Sequence, residues 1–291
     1  MAMPLLANVI GIIAFAILAP VLGCLLSGLD RVISARMQGR VGPSILQPYY
    51  DVRKLLGKDN VSTNSAEAVY ISAALGFAIV AGGIFYSGGN ILLSIFLVTM
   101  GGLFFIIAAY SSRSPYAEVG AGREIIQVMS YEPMVLILGV GVFMAAGSFN
   151  VSDLFGIETP IICRAWLIFI GLLFVLTIKL RKSPFDISMS HHAHQEIVRG
   201  VTTEMSGPTL AKVEIMHWVE NVLFLGWVGM FFVWDNPLSI ILAIVVALLT
   251  FFLEILIDNN FARVKWQAML KSAWVVALVT GGINFAVLLF L

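Results

Sequence analysis

One segment of the chain concentrates the residue types that move protons or bind metals. Between Arg181 and Lys212 it reads RKSPFDISMSHHAHQEIVRGVTTEMSGPTLAK and holds three of the four histidines (His191, His192 and His194), the acids Asp186, Glu196 and Glu204, and four basic residues. Long apolar runs flank it on both sides. Ionisable groups cost free energy wherever they approach a bilayer, so so polar a segment in so apolar a chain is the first candidate for function. Imidazole is the commonest transition-metal ligand and titrates near neutrality, so SHHAHQE could hold zinc or nickel, or pass protons. Histidines at i, i+1 and i+3 do not converge on one point of a helix without a bend, and no cysteine is near. Gln195 and Glu196 offer acceptors to the imidazole N–H groups, which favours a hydrogen-bonded loop at a subunit interface over a metal site.

A second set of ionisable residues lies inside the apolar runs. Glu214, His217 and Glu220, in KVEIMHWVENVLF, come at i, i+3 and i+6. On a helix they share an arc of about 120° and climb about 9 Å, a polar stripe that must point inward. Glu132, in REIIQVMSYEPMVLILGVG, is expected about a turn and a half into its run, with Pro133 predicting a kink. Glu254, in FFLEILIDNN, is near the end of its run, where reaching out to the headgroups is the favoured reading; the same alternative is weaker for Glu132. Carboxyl groups held in such places can take up and release protons, as a relay requires. Glu-x-x-His is also half of a di-iron ligand set, but that set needs the motif twice and it occurs once.

The elements that must position these groups follow from composition. With 59% hydrophobic and 12% charged residues and a mean hydropathy of +0.96, the chain lacks the polar surface of a soluble protein of 291 residues. The expected fold class is an all-α polytopic membrane protein. Net charge is zero, so nothing points to nucleic acid. Cys24 and Cys163 lie far apart with no CxxC spacing, so the chain cannot itself hold an iron–sulfur cluster, and any redox metal must sit on a partner.

The N-terminal run has no basic stretch before it and is too long for a signal segment, so it reads as a retained first span. Further runs at about 68–86, 90–110, 125–147, 161–180, 213–233, 237–257 and 272–290 each approach the ~20 residues that cross a bilayer. The expectation is eight transmembrane helices in a single domain over 1–291, with both termini on one side. Glycines crowd the second and third (Gly76, Gly82, Gly83, Gly88, Gly89, Gly101, Gly102), which predicts close helix contact. On this plan sixteen of the seventeen Lys and Arg residues fall on one face and only Arg164 on the other, so the odd-numbered loops are cytoplasmic and both termini lie outside. From Ile45 to Leu56 the first loop alternates apolar groups with Asp51, Arg53 and Lys54 at helical spacing, which predicts a cytoplasmic amphipathic helix or a docking surface. No internal repeat and no paired broken helices are visible, which argues against a stand-alone ion transporter.

Three motifs in order, QGRVGPSILQPYYDVRKLLGK, REIIQVMSYEP and SPFDISMSHHAHQEIVRGVTTEMSGP, resemble the family that contains the quinone-site membrane subunit of respiratory complex I and its hydrogenase counterparts. The resemblance runs from Asp30 to about Glu220. The histidine-bearing SHHAHQEIVRG and the shortened first loop are similar to the membrane subunit of energy-converting, group 4 [NiFe] hydrogenases. That branch implies a chain without a redox centre of its own. It would anchor the [NiFe] large and small subunits and a ferredoxin-like iron–sulfur subunit, whose [NiFe] centre and [4Fe-4S] clusters stay on those partners. It would couple their electron transfer to proton or sodium movement beside an antiporter-like subunit in the cell inner membrane. By the same resemblance Asp30, Glu132, Glu196, Glu204, Glu214 and Glu220 match the family's charged passage, to which the reading of the runs adds His217 and Glu254. Loops 30–67 and 181–212 would meet the catalytic module through Arg36, Arg40, Asp51, Arg123, Asp186, His191, His192 and His194. The alternative within the family is a quinone-site subunit of a complex I-like dehydrogenase.

Overall fold

A computed structural model describes residues 2–59, 61, 64–188 and 199–290, with side chains from residue 9 onward. His191, His192, His194 and Glu196 lie outside the described residues. The chain is a bundle of antiparallel helices: α1 (Ala2–Met37), α2 (Gln47–Leu56), α3 (Ser65–Tyr86), α4 (Ile91–Ser111), α5 (Pro115–Ala146), α6 (Trp166–Lys179), α7 (Gly207–Gly229), α8 (Leu238–Asn260), α9 (Trp266–Val276) and α10 (Gly282–Phe290). A π-helical turn, Ala277–Gly281, joins the last two into one rod. Among the described residues seven helical stretches are long and apolar enough to cross a membrane. The fifth expected span is the shorter α6, of 14 residues. Exposed large apolar side chains cover the outer faces of α1 and α8, as suits contact with lipid.

Several boundaries differ from expectation in ways that move the polar groups. Helix α1 continues to Met37, so Asp30, Arg31 and Arg36 sit on a helix and not in a loop. Helix α5 begins at Pro115, ten residues before the apolar run that predicted it, because Pro at the first helical position and Glu118 in the first turn start a helix that hydropathy does not mark. Glu132 therefore lies about 26 Å along its helix. Pro133 does not break the helix; it leaves the Met129 carbonyl without its usual donor, and Trp274 Nε1–H fills that place at 3.0 Å.

The expected close contacts occur at some of the glycines. A Cβ on Gly83 would lie 2.5 Å from Ile12 Cα, so α1 and α3 touch backbone to backbone, whereas Gly76 faces open space. Gly23 does the same for α1 and α7, where a Cβ would stand 2.3 Å from the Trp218 carbonyl oxygen. The start of α6, whose own cap residue Ala165 makes no side-chain bond, is held from the far end of the chain. Buried Asn284 accepts from Ile168 N–H at 3.1 Å and donates to the Arg164 carbonyl at 2.9 Å.

Candidate functional site

The centre of the site is the corner after α6, where Arg181 adopts a left-handed backbone (φ 52°). A non-glycine residue rarely holds this conformation unless its surroundings fix it, and the Arg181 side chain is fixed on three sides. Nη2 donates to Glu124 Oε1 of α5 at 2.9 Å, Nη1 approaches His217 Nδ1 of α7 at 2.7 Å, and Glu220 Oε2 lies 3.7 Å from Nη1. Both carboxylates are buried, at 4% and 7% exposure. Arginine can only donate, so at 2.7 Å the Nδ1 of His217 accepts and the ring is neutral in this arrangement. Protonated, the ring would instead give Nδ1–H to Glu220 Oε2, now 3.4 Å away. Ser188 brings the polar loop back onto the cluster, its single hydroxyl proton serving either Glu124 Oε2 or Gln127 Oε1.

The line continues into the bundle. Lys179 is buried with its ammonium 3.7 Å from the centre of the Tyr131 ring, a cation–π contact, and Glu132 and Glu220 are among its charged neighbours. Beyond it Glu132 Oε1 accepts from Thr99 of α4 at 2.8 Å, while Oε2 has no partner. Between Glu124, Gln127, Lys179, Arg181 and Glu220 lies a cavity of about 20 Å³, enough for one water molecule with several polar partners. Three acids from two helices, one histidine and two cations thus form a near-continuous polar line through the apolar core.

Of the residues expected from the sequence, His217, Glu220 and Glu132 come together here. Glu214 lies half-buried on α7, outside that cluster. Glu204, in the loop before α7, is the charged neighbour of Glu67, whose carboxylate is buried on α3 without a hydrogen bond. Asp30 stands on α1 in a separate group: Lys182 bonds to its Oδ2 and, at 3.2 Å, to Asp258 Oδ2 of α8. Burial works against the Lys182 ammonium, yet the pull of Asp30 and Asp258 holds its pKa above the ordinary value. Glu254 does not reach outward as expected. It is 0% exposed, because its side chain turns into the bundle beside Phe251 and Ile255.

Among the expected interface residues, Arg36 and Arg40 are exposed, Arg123 is half-buried, and Asp51 pairs with Arg31 at 2.6 Å and accepts from Gln47 at 2.9 Å. Burial tends to raise the Asp51 carboxyl, but these bonds hold it below the usual range. Asp186 is buried and paired with Arg263. Sequence reasoning passed over Glu124, Lys179, Lys182, Asp258 and the role of Arg181. Glu124 stands in the motif REIIQ, and only the early start of α5 would have shown it to be inside.

Burial pushes Asp186 up to about 7, against the attraction of Arg263. A carboxyl whose folded-state pKa is raised contributes stability that is full below about pH 4 and is lost as pH rises through about 7. Detergent-solubilised protein is therefore expected to lose stability of order a few kcal/mol between pH 4 and 7, read as a falling unfolding temperature, and Asp186→Asn should flatten that slope. Equal slopes in the two proteins would refute the assignment.

Seven long apolar helices around a buried line of acids and cations define a multi-pass membrane protein with ionisable groups inside its bundle. The chain belongs to the NADH dehydrogenase family, whose model matches residues 9–289. It is 28% identical to formate hydrogenlyase subunit 4 of Escherichia coli, over 91% of this chain and 92% of that protein. It is 27% identical to hydrogenase-4 component C of the same organism, over 91% of each. Among solved structures it shares its fold with a chain of an archaeal respiratory membrane complex, the membrane-bound sulfane sulfur reductase, at a TM-score of 0.82 and 24% identity, covering 97% of this chain and 99% of that one.

Proposed function

We propose that this chain is the integral membrane anchoring and coupling subunit of an energy-converting [NiFe] hydrogenase complex. The observation that carries the reading is the buried line from Glu124 through Arg181, His217, Glu220 and Lys179 to Glu132. Apolar helices alone would anchor partners; maintaining three acids and two cations inside a bundle is costly and is the mark of an ion or proton path. In this reading electrons pass between iron–sulfur clusters and a [NiFe] centre on the partners, and charge changes at loop 181–212 enter the line at Arg181. Protonation of His217 would release Arg181 from Nδ1 and place a donor against Glu220, so one proton changes the partners of both Arg181 and Glu220. Glu196, Glu204 and Glu214 are the approach to this line, and Arg36, Arg40, Asp51, Arg123, Asp186 and the histidine segment form the face toward the catalytic module.

The finer placement belongs to the same proposal. Helix α6 brings the crossings to eight, α2 lies on the cytoplasmic face of the cell inner membrane, and both termini are outside. The large and small hydrogenase subunits, a ferredoxin-like subunit and an antiporter-like chain are the partners. Gentle solubilisation followed by co-purification and metal analysis tests it: nickel should accompany the chain, and crosslinks from loop 181–212 should reach the large or small subunit. A complex rich in iron but free of nickel would overturn the hydrogenase assignment.

A second reading, a quinone-site subunit, draws on the family and on an apolar cavity of about 600 Å³ between α1, α7 and α8 that could take an isoprenoid tail. The Tyr86 hydroxyl at its wall is already bonded to the Val222 carbonyl at 2.8 Å, which leaves a quinone head without that donor. Labelling of the cavity wall by a photoreactive quinone would favour this reading.

A further inference from the structure

Arg181 and Lys182 are neighbours in sequence but serve two different groups of acids. Arg181 turns toward α5 and α7, whereas Lys182 turns to α1 and α8, where Asp30 and Asp258 hold its ammonium. Asp258 is itself held in place, its Oδ1 accepting from the Ser183 N–H at 2.8 Å. One turn back along α8 from Asp258 is Glu254, fully buried, with neither carboxyl oxygen bonded. Its charged neighbours are Lys182 from the loop and Asp258 on its own helix. The other groups packed on that face, Leu225 of α7 and Leu26 and Ile33 of α1, are apolar.

An ionised carboxylate in this position would have neither a hydrogen bond nor a bonded counter-charge, which burial penalises, so while Lys182 is engaged elsewhere the protonated form of Glu254 is favoured. Lysine is a point charge on a flexible four-carbon stem and can exchange partners without moving the backbone. Residues at i and i+4 lie about 5–6 Å apart on one helix face, so Asp258 and Glu254 are alternative seats for the same ammonium.

We propose that Glu254 and Lys182 form a second protonation site, in which Lys182 moves between the mouth acids Asp30 and Asp258 and the buried Glu254, and Glu254 releases its proton when Lys182 arrives. The site is separate from the Arg181 cluster. Atoms balance simply: the Glu254 O–H bond breaks, the proton leaves toward Asp258 or Asp30 as Lys182 vacates them, and the ammonium replaces it as the positive partner of the carboxylate. A role for this exchange in ion coupling rests on the function proposed above; the exchange itself does not.

Infrared spectroscopy of the purified whole complex, titrated with acid and base, tests it through the stretching band of protonated carboxyl groups. Glu254→Gln should remove one such band at neutral pH. Asp258→Asn, which loosens the hold on Lys182, should weaken that band at neutral pH. Lys182→Met should instead preserve it on alkaline titration by about one pH unit or more beyond wild type. Lys182→Arg, which keeps the charge, serves as the control for folding, and assembly of each variant is checked on native gels. Absence of any band change in Glu254→Gln, or identical titration of that band in Lys182→Met and wild type, overturns the proposal. Neither result touches the Arg181 cluster, whose role is tested by ion translocation in Glu220 variants.

Discussion

Arg181→Met is expected to destabilise the protein by about 3–5 kcal/mol, the usual consequence of removing one partner from a buried ion pair. The methionine keeps the apolar stem and removes the guanidinium, so Glu124 and Glu220 would remain buried, at 4% and 7% exposure, facing each other across a site without its cation. His217 would also lose the donor to its Nδ1. Thermal unfolding in detergent measures the loss, and the double variant Arg181→Met with Glu124→Gln should recover part of it by removing one unpaired charge. If the second change gives no recovery, the loss does not come from an unpaired Glu124 carboxylate.

The second large effect concerns transport. Glu220→Gln in the intact complex, reconstituted in vesicles, should lower ion translocation by about tenfold or more while electron transfer to an artificial dye continues. The amide keeps the size of the side chain and can still accept one hydrogen bond, but it cannot take a proton or answer a change of charge at His217. Glu214→Gln should have the smaller effect, since Glu214 lies outside the cluster that joins His217 and Glu220 to Arg181. Unchanged translocation in Glu220→Gln would remove the relay from this line of residues.

The helical frame was largely legible because hydropathy and helix length are local properties. Seven of the expected runs correspond to long apolar helices, and the Gln47–Leu56 helix stands where helical spacing placed it. The stripe Glu214, His217, Glu220 was legible for the same reason, since one helix determines its own faces. Partners were not. Arg181 meets Glu124 across 57 residues and Lys182 meets Asp30 across 152, and no local period carries that information. Both cations were counted as charges that orient the chain in the membrane, which says nothing of what they bind. Glu124 was hidden by glycines and charges that look like loop, and Glu254 was assigned outward by its nearness to a helix end, although the packing of α8 against α1 and α7 turns it inward.

The shortness of α6 has an electrical meaning. Fourteen residues span about 21 Å, against roughly 30 Å of hydrocarbon in a typical bilayer. The polar corner at Arg181 begins where that short helix stops; with α6 as a crossing, as proposed above, the insulating layer would be thinner there than beside the longer helices. A membrane potential is worth about 2.3 kcal/mol per charge per 100 mV over its full drop, and where the drop is compressed a given displacement crosses more of it. A proton moving along the line between Arg181 and Glu132 would therefore do more electrical work per ångström than one moving beside α3 or α5, and the subunit would sense voltage chiefly at its shortest helix.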